Sequence, residues 1–209
     1  HYVREIKNSR YPAIKGLEIS SFKRQLNFLE KNFEIIKPID LIQNKELPNN
    51  SCLLSFDDGF KDHAKFVLPE LNKRKLKGVF FPPGAAIIEN EILDVHSIHF
   101  ILNKIKNEST LVSILNSLCL ENGCNEKDLK NYWNIYGKKD RYDSKEVIYF
   151  KRMLQFILPL DLRKKITNFL FKKYLNISTS EFAKELYMNK DDLNKLLESE
   201  MCIGSHGYN

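Results

Sequence analysis

Apolar positions in the first 84 residues alternate between helical spacing and short, mostly apolar segments. Phe22, Leu26 and Leu29 are spaced four and three residues apart, which predicts an amphipathic helix. Ser20 and Ser21 precede this pattern as candidate N-caps. A second helical pattern at 66–71 contains Pro69, which we expect to break or restart the helix. Short, mostly apolar segments predict strands at 33–36, 52–56 and 78–81, with Glu34 and Ser55 as polar residues in the first two.

Buried strands that alternate with helices are typical of parallel β/α folds, so we expect an α/β architecture. The alternation ends at Gly84, and a strand pattern returns only at residues 201–204. The sequence between them predicts helices at 96–106, 110–120, 126–136, 145–158, 160–175, 180–187 and 191–199. A crossover between parallel strands needs only about a dozen residues, so we infer a long helical insertion. The predicted parts are a β/α domain at 1–84, the insertion at 85–200, and the next strand with its loop at 201–209.

Composition narrows the class of protein without identifying it. The chain has 209 residues, of which 43% are hydrophobic, enough for one substantial core. The net charge is +6, but the lysines are spread among acidic residues and form no basic block. We therefore do not expect nucleic-acid binding. No apolar run approaches the ~20 residues of a membrane-spanning helix. The chain starts at His1 and stops at Asn209 without a start or stop signal, so we expect both ends to be cut from a longer protein.

Two adjacent carboxylates stand where one predicted strand ends. Asp57 and Asp58 follow the apolar run directly, and Gly59 comes next. Side chains of neighbouring strand residues point to opposite faces, but a glycine lets the backbone turn sharply. Both acids can then enter one cleft with different partners, one binding a cation and the other moving a proton. The alternative is an ordinary Asp-Asp-Gly turn with both acids in water.

A histidine follows the last predicted strand in the same way. His206 comes three residues after Ile203, and the carboxyl ends of parallel strands share one rim. Aspartate and histidine are ligand types that zinc prefers. Other histidines have ordinary explanations: we expect His96 and His99 in a packed helix and His63 on a helix surface or at the rim. Trp133 could stack on a sugar, although a helical core is the simpler interpretation.

These residues resemble the polysaccharide deacetylases with the nodulation-protein-B-like homology domain, also called carbohydrate esterase family 4. The first motif of that family, Thr-Phe-Asp-Asp-Gly, is matched by Ser-Phe-Asp-Asp-Gly at 55–59. Its second motif, His-Ser/Thr-x-x-His, is matched over four positions by His-Gly-Tyr-Asn at 206–209, with Gly207 in place of Ser or Thr. Gly-Val-Phe-Phe-Pro at 78–82 is similar to a strand of the family, and the insertion at 94–100 is similar to proteins associated with bacterial surface polysaccharides.

The resemblance implies a partial, distorted (β/α) barrel that carries the helical insertion. It implies Asp57 as general base, and Asp58 and His206 as ligands of a divalent metal, zinc first, with cobalt, nickel or manganese as alternatives. The implied reaction is hydrolysis of the N-acetyl group of an amino sugar in a surface polysaccharide or its precursor. The expected partner is therefore an N-acetylated glycan. The family's general acid has no counterpart in these 209 residues.

Two other functions fit some of these features. A deacetylase-like fold without turnover could serve as a glycan-binding or assembly protein. A phosphotransferase of the haloacid-dehalogenase type carries Asp-x-Asp after a strand, whereas here the two aspartates are contiguous.

Overall fold

The computed structural model describes residues 2–43, 46–105 and 107–208. It has a mixed α/β structure in which the paired strands run parallel, so the predicted α/β class is confirmed. The chain divides into two compact units. One unit consists of His1–Glu91 with Ser180–Asn209, and the other of Ile92–Thr179.

Short strands alternate with helices in the first 91 residues. In chain order they are β1 (Val3–Arg4), β2 (Leu17–Glu18), α1 (Ile19–Asn32), β3 (Glu34–Ile35), α2 (Pro38–Ile42), β4 (Ser51–Cys52), β5 (Leu54–Asp57), α3 (Leu68–Arg74), β6 (Gly78–Phe81) and α4 (Gly84–Ile88). Helices then follow one another: α5 (Asp94–Lys104), α6 (Glu108–Glu121), α7 (Glu126–Tyr136), α8 (Lys145–Arg152) and α9 (Leu160–Leu175). The last elements are α10 (Thr179–Leu186), α11 (Lys190–Glu198) and β7 (Cys202–Ile203).

The central sheet of the first unit has the strand order β5, β6, β7. Phe56 lies beside Phe80, and Phe80 lies beside Ile203, in parallel register. The Phe80 side chain is fully buried in the middle strand. Because the strands are parallel, the three carboxyl ends lie at one edge of the sheet.

The remaining strands form two small parallel pairs, β1 with β2 and β3 with β4. The prediction of a single strand at 52–56 is therefore wrong in detail. The segment forms two strands, of which β4 pairs with β3 and β5 pairs with β6. Within residues 2–43, 46–105 and 107–208 the three sheets do not close into a barrel.

The first unit has its own hydrophobic core beneath the central sheet. Phe22 and Leu26 of α1 pack there, as their spacing predicts. Residues from distant parts of the sequence complete this core: Val3, Leu54, Phe56, Val67, Leu68, Leu71, Phe80, Met188, Leu196 and Met201. Complete burial of an aliphatic or aromatic side chain stabilises the fold by about 2 kcal/mol.

The predicted serine N-cap of α1 is wrong. The helix begins at Ile19, and Glu18 in the N-cap position makes no side-chain cap hydrogen bond. The physical reason is tertiary: Leu17 and Glu18 form β2, paired with β1, and the chain enters the helix directly from that strand. Ser20 consequently lies inside the first turn.

Pro69 restarts a helix, as predicted. A single π-helical turn at His63–Val67 precedes α3, and the N–H of Leu68 donates to the carbonyl of His63 five residues back. Pro69 is the second residue of α3, which directly follows this π-helical turn, and the backbone stays helical at Val67 and Leu68.

The second unit is helical, as the sequence predicts. α7 has the predicted bounds, and α8 continues through a π-helical turn at Met153–Ile157. Asn107, Asn125 and Ser144 accept N-cap hydrogen bonds from backbone N–H groups at the starts of α6, α7 and α8. Trp133 packs edge-on against the buried Tyr149, with ring centroids 5.1 Å apart, which favours the core interpretation.

The unit boundaries differ from the predicted insertion at 85–200. α4, most of α10 and all of α11 belong to the compact unit that holds the sheet, so the second unit covers only Ile92–Thr179. Among the described helices, we find none that combines the length and the apolarity needed to cross a lipid bilayer.

Candidate active site

The turn after β5 gives the adjacent aspartates different positions. Asp57 is the last residue of β5, lies beside Phe81 and is half-buried. Asp58 has a φ of +69° and is only 8% exposed, and Gly59 follows with a φ of +61°. Aspartate tolerates this left-handed conformation better than most residues, because its short side chain can hydrogen-bond locally. The turn thus places one carboxylate at the strand's end and buries the next.

Gly59 is required for space as well as for its backbone conformation. A Cβ added at Gly59 would lie 2.7 Å from the Cβ of Pro82 and 3.0 Å from its Cα. Pro82 directly follows β6, so the Asp-Asp-Gly turn packs on the end of the neighbouring strand. No side chain fits between these two segments without displacing one of them.

The loop that contains His206 also packs against the carboxyl end of β6. The N–H of Gly204 donates to the carbonyl of Phe80 (2.9 Å), and the N–H of His206 donates to the carbonyl of Pro82 (3.2 Å). The N–H of Gly84 donates to the carbonyl of Gly207 (3.0 Å). These bonds fix the backbone of the loop, while the imidazole of His206 is exposed.

Pro82 is therefore the common contact of the predicted site. Its ring and Cα touch Gly59 of the aspartate turn, and its carbonyl binds the backbone of His206. Asp57 ends β5, and Asp58 and His206 follow β5 and β7, whose carboxyl ends lie at one edge of the sheet, as expected from the sequence. Their catalytic and ligand roles stay predictions.

Gly207 stands where the motif of the polysaccharide deacetylases, which this loop resembles, has serine or threonine. Its φ is +83°, a conformation that glycine adopts without strain and that serine or threonine rarely adopts. The loop is held by the backbone hydrogen bonds from Gly204 to Phe80, from His206 to Pro82 and from Gly84 to Gly207.

The prediction that His63 lies on a surface or at the rim is wrong. Its side chain is fully buried, with its ring centroid 5.7 Å from that of Phe56, 5.8 Å from Phe60 and 6.0 Å from Phe80. Burial lowers the pKa of His63 to about 3, although the nearby Asp58 carboxylate acts in the opposite direction. The imidazole is therefore neutral behind the aspartate turn. The four-residue spacing of His63, Val67 and Leu71 is the signal that could have located it.

The first strand supports the turn from another side. Tyr2 stacks on Phe60 with centroids 4.0 Å apart, and the guanidinium of Arg4 lies 4.2 Å above the Tyr2 ring. The Nε of Arg4 donates to the carboxylate of Asp62 at 2.7 Å. Burial raises the pKa of Tyr2, so its phenol is neutral at physiological pH. The residues at 1–3 resemble the end of the first strand in some polysaccharide deacetylases, which would place His1 near the cleft, but His1 lies outside the described residues.

A segment at the end of α10 closes the turn, and no sequence pattern predicts this contact. The N–H of Met188 donates to the carbonyl of Gly59 at 2.8 Å. Tyr187 forms an antiparallel bridge with Phe60, and their rings stack nearly parallel at 6.0 Å. These contacts join residues about 128 positions apart, so no local pattern could have found them.

The ligand chemistry of Asp58 and His206 fits a divalent metal such as zinc. In the part of the chain that the structure describes, no group of three His, Cys, Asp or Glu side chains is arranged to hold a metal ion. Of these two residues, Asp58 is buried and His206 is exposed.

Comparison with known proteins adds no relative. No protein-family model matches the chain, and none of the curated proteins matches it significantly in sequence. The resemblance to polysaccharide deacetylases consequently rests on the residues at 55–59, 78–82 and 206–209.

Proposed function

We propose that this chain contributes part of the active site of a metal-dependent N-deacetylase that acts on an amino sugar in a surface polysaccharide or its precursor. The proposal includes a partial, distorted (β/α) barrel, of which the parallel sheets would form one part. The observation that carries it is the convergence on Pro82 of an Asp-Asp-Gly turn and a histidine loop. Parallel strands in β/α enzymes present their catalytic residues at this edge.

Asp57 is the proposed general base. It ends β5 and keeps partial access to solvent, so it can take the proton of a water molecule that attacks the acetamido carbonyl. Its partner Asp58 has a separate orientation because the backbone turns between them. The two carboxylates can thus perform different tasks although they are adjacent in sequence.

Asp58 and His206 are the proposed metal ligands, with zinc the first candidate and cobalt, nickel or manganese the alternatives. When bound, such an ion polarises a carbonyl and lowers the pKa of a coordinated water. The chain's contribution is orientation. Backbone hydrogen bonds fix the His206 loop on Pro82, and the tight contact of Gly59 with Pro82 fixes the backbone next to Asp58.

The second candidate is a deacetylase-like protein that binds or assembles glycans without turnover. It is compatible with the described residues, among which no group of three or more His, Cys, Asp or Glu side chains is arranged to hold a metal ion. The two candidates differ in one measurable outcome, because only the enzyme releases acetate.

The test is acetate release from N-acetylated oligosaccharides by the full-length native protein. We expect release only with a divalent metal, and Asp57→Asn should lower its rate by about 10²–10⁴, the usual contribution of general base catalysis. Asp161→Asn, an exposed change of the same chemistry in α9, is the matched control and should leave the rate unchanged.

Metal binding separates the roles of the two aspartates. Asp58→Asn and His206→Ala should weaken zinc binding measured by calorimetry, whereas Asp57→Asn should retain it. Release that resists a chelator, or that persists undiminished in Asp57→Asn, rules out this mechanism. Metal and glycan binding without any release supports the non-catalytic candidate.

A further inference from the structure

A cavity of about 500 Å³ lies in the first unit beside the aspartate turn. Lys61, two residues after Gly59, lines one side of it. Tyr187 and Met188 line it as well, and these are the residues that bridge to Phe60 and Gly59. The segment that closes the turn is thus also a wall of the cavity. Its volume is within the ~300–1,000 Å³ of typical small-molecule sites.

The interior and the rim of this cavity differ in chemistry. Ala86, Ala183, Tyr187 and Met188 line it and are buried, so its floor is largely apolar. The rim carries lysines 61, 184 and 190, and Asp191 is the acidic residue among the lining side chains. An apolar floor with a basic rim suits a ligand that has an uncharged body and an anionic group.

The rim lysines differ in how they are held. The ammonium of Lys61 donates to the carbonyl oxygen of Lys184 at 3.3 Å and lies 3.9 Å from the carboxylate of Asp192. This contact orients Lys61 along the rim. Lys184 and Lys190 are exposed at the end of α10 and the start of α11. Among the lining residues, three lysines stand against one acidic side chain, Asp191.

We propose, on the basis of the deacetylase function, that this cavity binds an anionic group of the N-acetylated sugar substrate, a phosphate or a carboxylate. Lys61, Lys184 and Lys190 contact the anion, and the apolar floor packs against the uncharged part of the substrate. The site is separate from Asp57, Asp58 and His206, which act on the acetamido group. It adds a charge requirement to a reaction that itself involves no anionic substituent.

The probes are methyl phosphate, glucuronic acid and neutral N-acetylglucosamine, titrated into ¹⁵N-labelled protein at constant ionic strength. We expect saturable amide shifts at residues 59–61, 86–90 and 184–191 with at least one anion. Methyl phosphate or glucuronic acid, whichever binds, identifies the phosphate or the carboxylate as the source of the charge. Shifts of equal size and affinity with the neutral sugar contradict the proposal, as does an absence of saturable shifts in these segments.

The lysines are tested as a set. The triple variant Lys61→Gln, Lys184→Gln and Lys190→Gln should weaken anion binding roughly tenfold or more, because charged groups contribute most to such contacts. The matched control changes three exposed lysines of the second unit, Lys127→Gln, Lys138→Gln and Lys139→Gln, and alters net charge equally. Equal affinity loss in both variants contradicts a specific site.

A single exposed substitution keeps the test valid if the triple variant folds poorly. Lys184→Glu should weaken binding of the same anion while the amide spectrum of the rest of the protein is retained. Unchanged affinity in a folded Lys184→Glu protein contradicts the proposal.

Acetate release distinguishes this inference from the proposed function. Release without anion binding contradicts the anion site alone. Anion binding that is lost in the lysine variants, without acetate release under any of the four metals, contradicts the deacetylase and the assignment of the anion to its substrate.

Discussion

The two compact units differ in how their sequences determine their structures. In the helical unit, Ile92–Thr179, side chains cap helices through hydrogen bonds to residues two or three positions away, as Asn125 does at the start of α7. In the sheet-containing unit, the important contacts are long-range, such as the contact of Gly59 with Pro82 and the hydrogen bond from Met188 to Gly59. Local sequence patterns therefore predict the structure of the helical unit well and that of the sheet-containing unit poorly.

Glycine substitutions test this difference most strongly. Gly59→Ala places a Cβ 2.7 Å from Pro82 at a φ of +61°, whereas Gly123 in the helical unit has a φ of +90° and no neighbouring atom within 4 Å of an added Cβ. We expect Gly59→Ala to lower the free energy of unfolding by about 4 kcal/mol, from backbone strain and overpacking together. Gly123→Ala should lower it by about 1 kcal/mol, from backbone strain alone.

Urea denaturation gives both free energies, and hydrogen exchange of amides in β6 and α6 assigns each loss to its unit. Equal losses in the two variants would mean that the contact with Pro82 contributes nothing to stability.

Acid should destabilise the sheet-containing unit through His63. Burial lowers the pKa of His63 to about 3 in the folded protein, so below pH 6.5 the unfolded chain binds a proton that the folded chain does not. The stability present above pH 6.5 is lost as the pH falls toward 3, at about 1.4 kcal/mol per pH unit. Between pH 6.5 and 5 we expect a loss of about 2 kcal/mol.

His63→Phe keeps an aromatic ring in this apolar site and removes the titration. The variant should lose less stability than the unmodified protein over the same pH range, as measured by urea denaturation at several pH values. Identical pH slopes in the two proteins would show that the pKa of His63 does not differ between the folded and the unfolded state.

Helix caps give the smallest effect and compare a sequence prediction with the structure. The Oγ of Ser144 accepts a hydrogen bond from the N–H of Val147, so Ser144→Ala should cost about 1 kcal/mol. Ser20 has the same sequence signature but lies inside the first turn of α1, so Ser20→Ala should cost about 0 kcal/mol. Thermal denaturation followed by circular dichroism measures both, and a comparable cost at Ser20 would restore the predicted cap.

Much of the fold could be predicted because the signals are local. The bounds of α7 and β6 match their predictions, since a capping asparagine and an uninterrupted apolar run each act over a few residues. The split of the predicted strand at 52–56 into β4 and β5 could not be predicted. It depends on which neighbour each half meets, and β3 and β6 come from different parts of the chain.

The candidate site was predictable in its residues and not in its surroundings. Asp57, Asp58 and His206 stand out because polar residues directly follow apolar strands. The burial of His63 and the closure of the turn by Met188 depend on tertiary packing. The cavity rimmed by Lys61, Lys184 and Lys190 depends on it too, because α10 and α11 join the sheet-containing unit after a long excursion of the chain.

The sequence by itself determined the α/β class, the helical character of Ile92–Thr179 and the positions of the two aspartates and the histidine. Hydrophobic periodicity and strand ends encode these features within a few residues. Only the tertiary structure decided that Pro82 joins the aspartate turn to the histidine loop and that a basic cavity lies beside them. Those features arise from close packing between segments far apart in the chain, where the fit of backbone and side chains selects one arrangement.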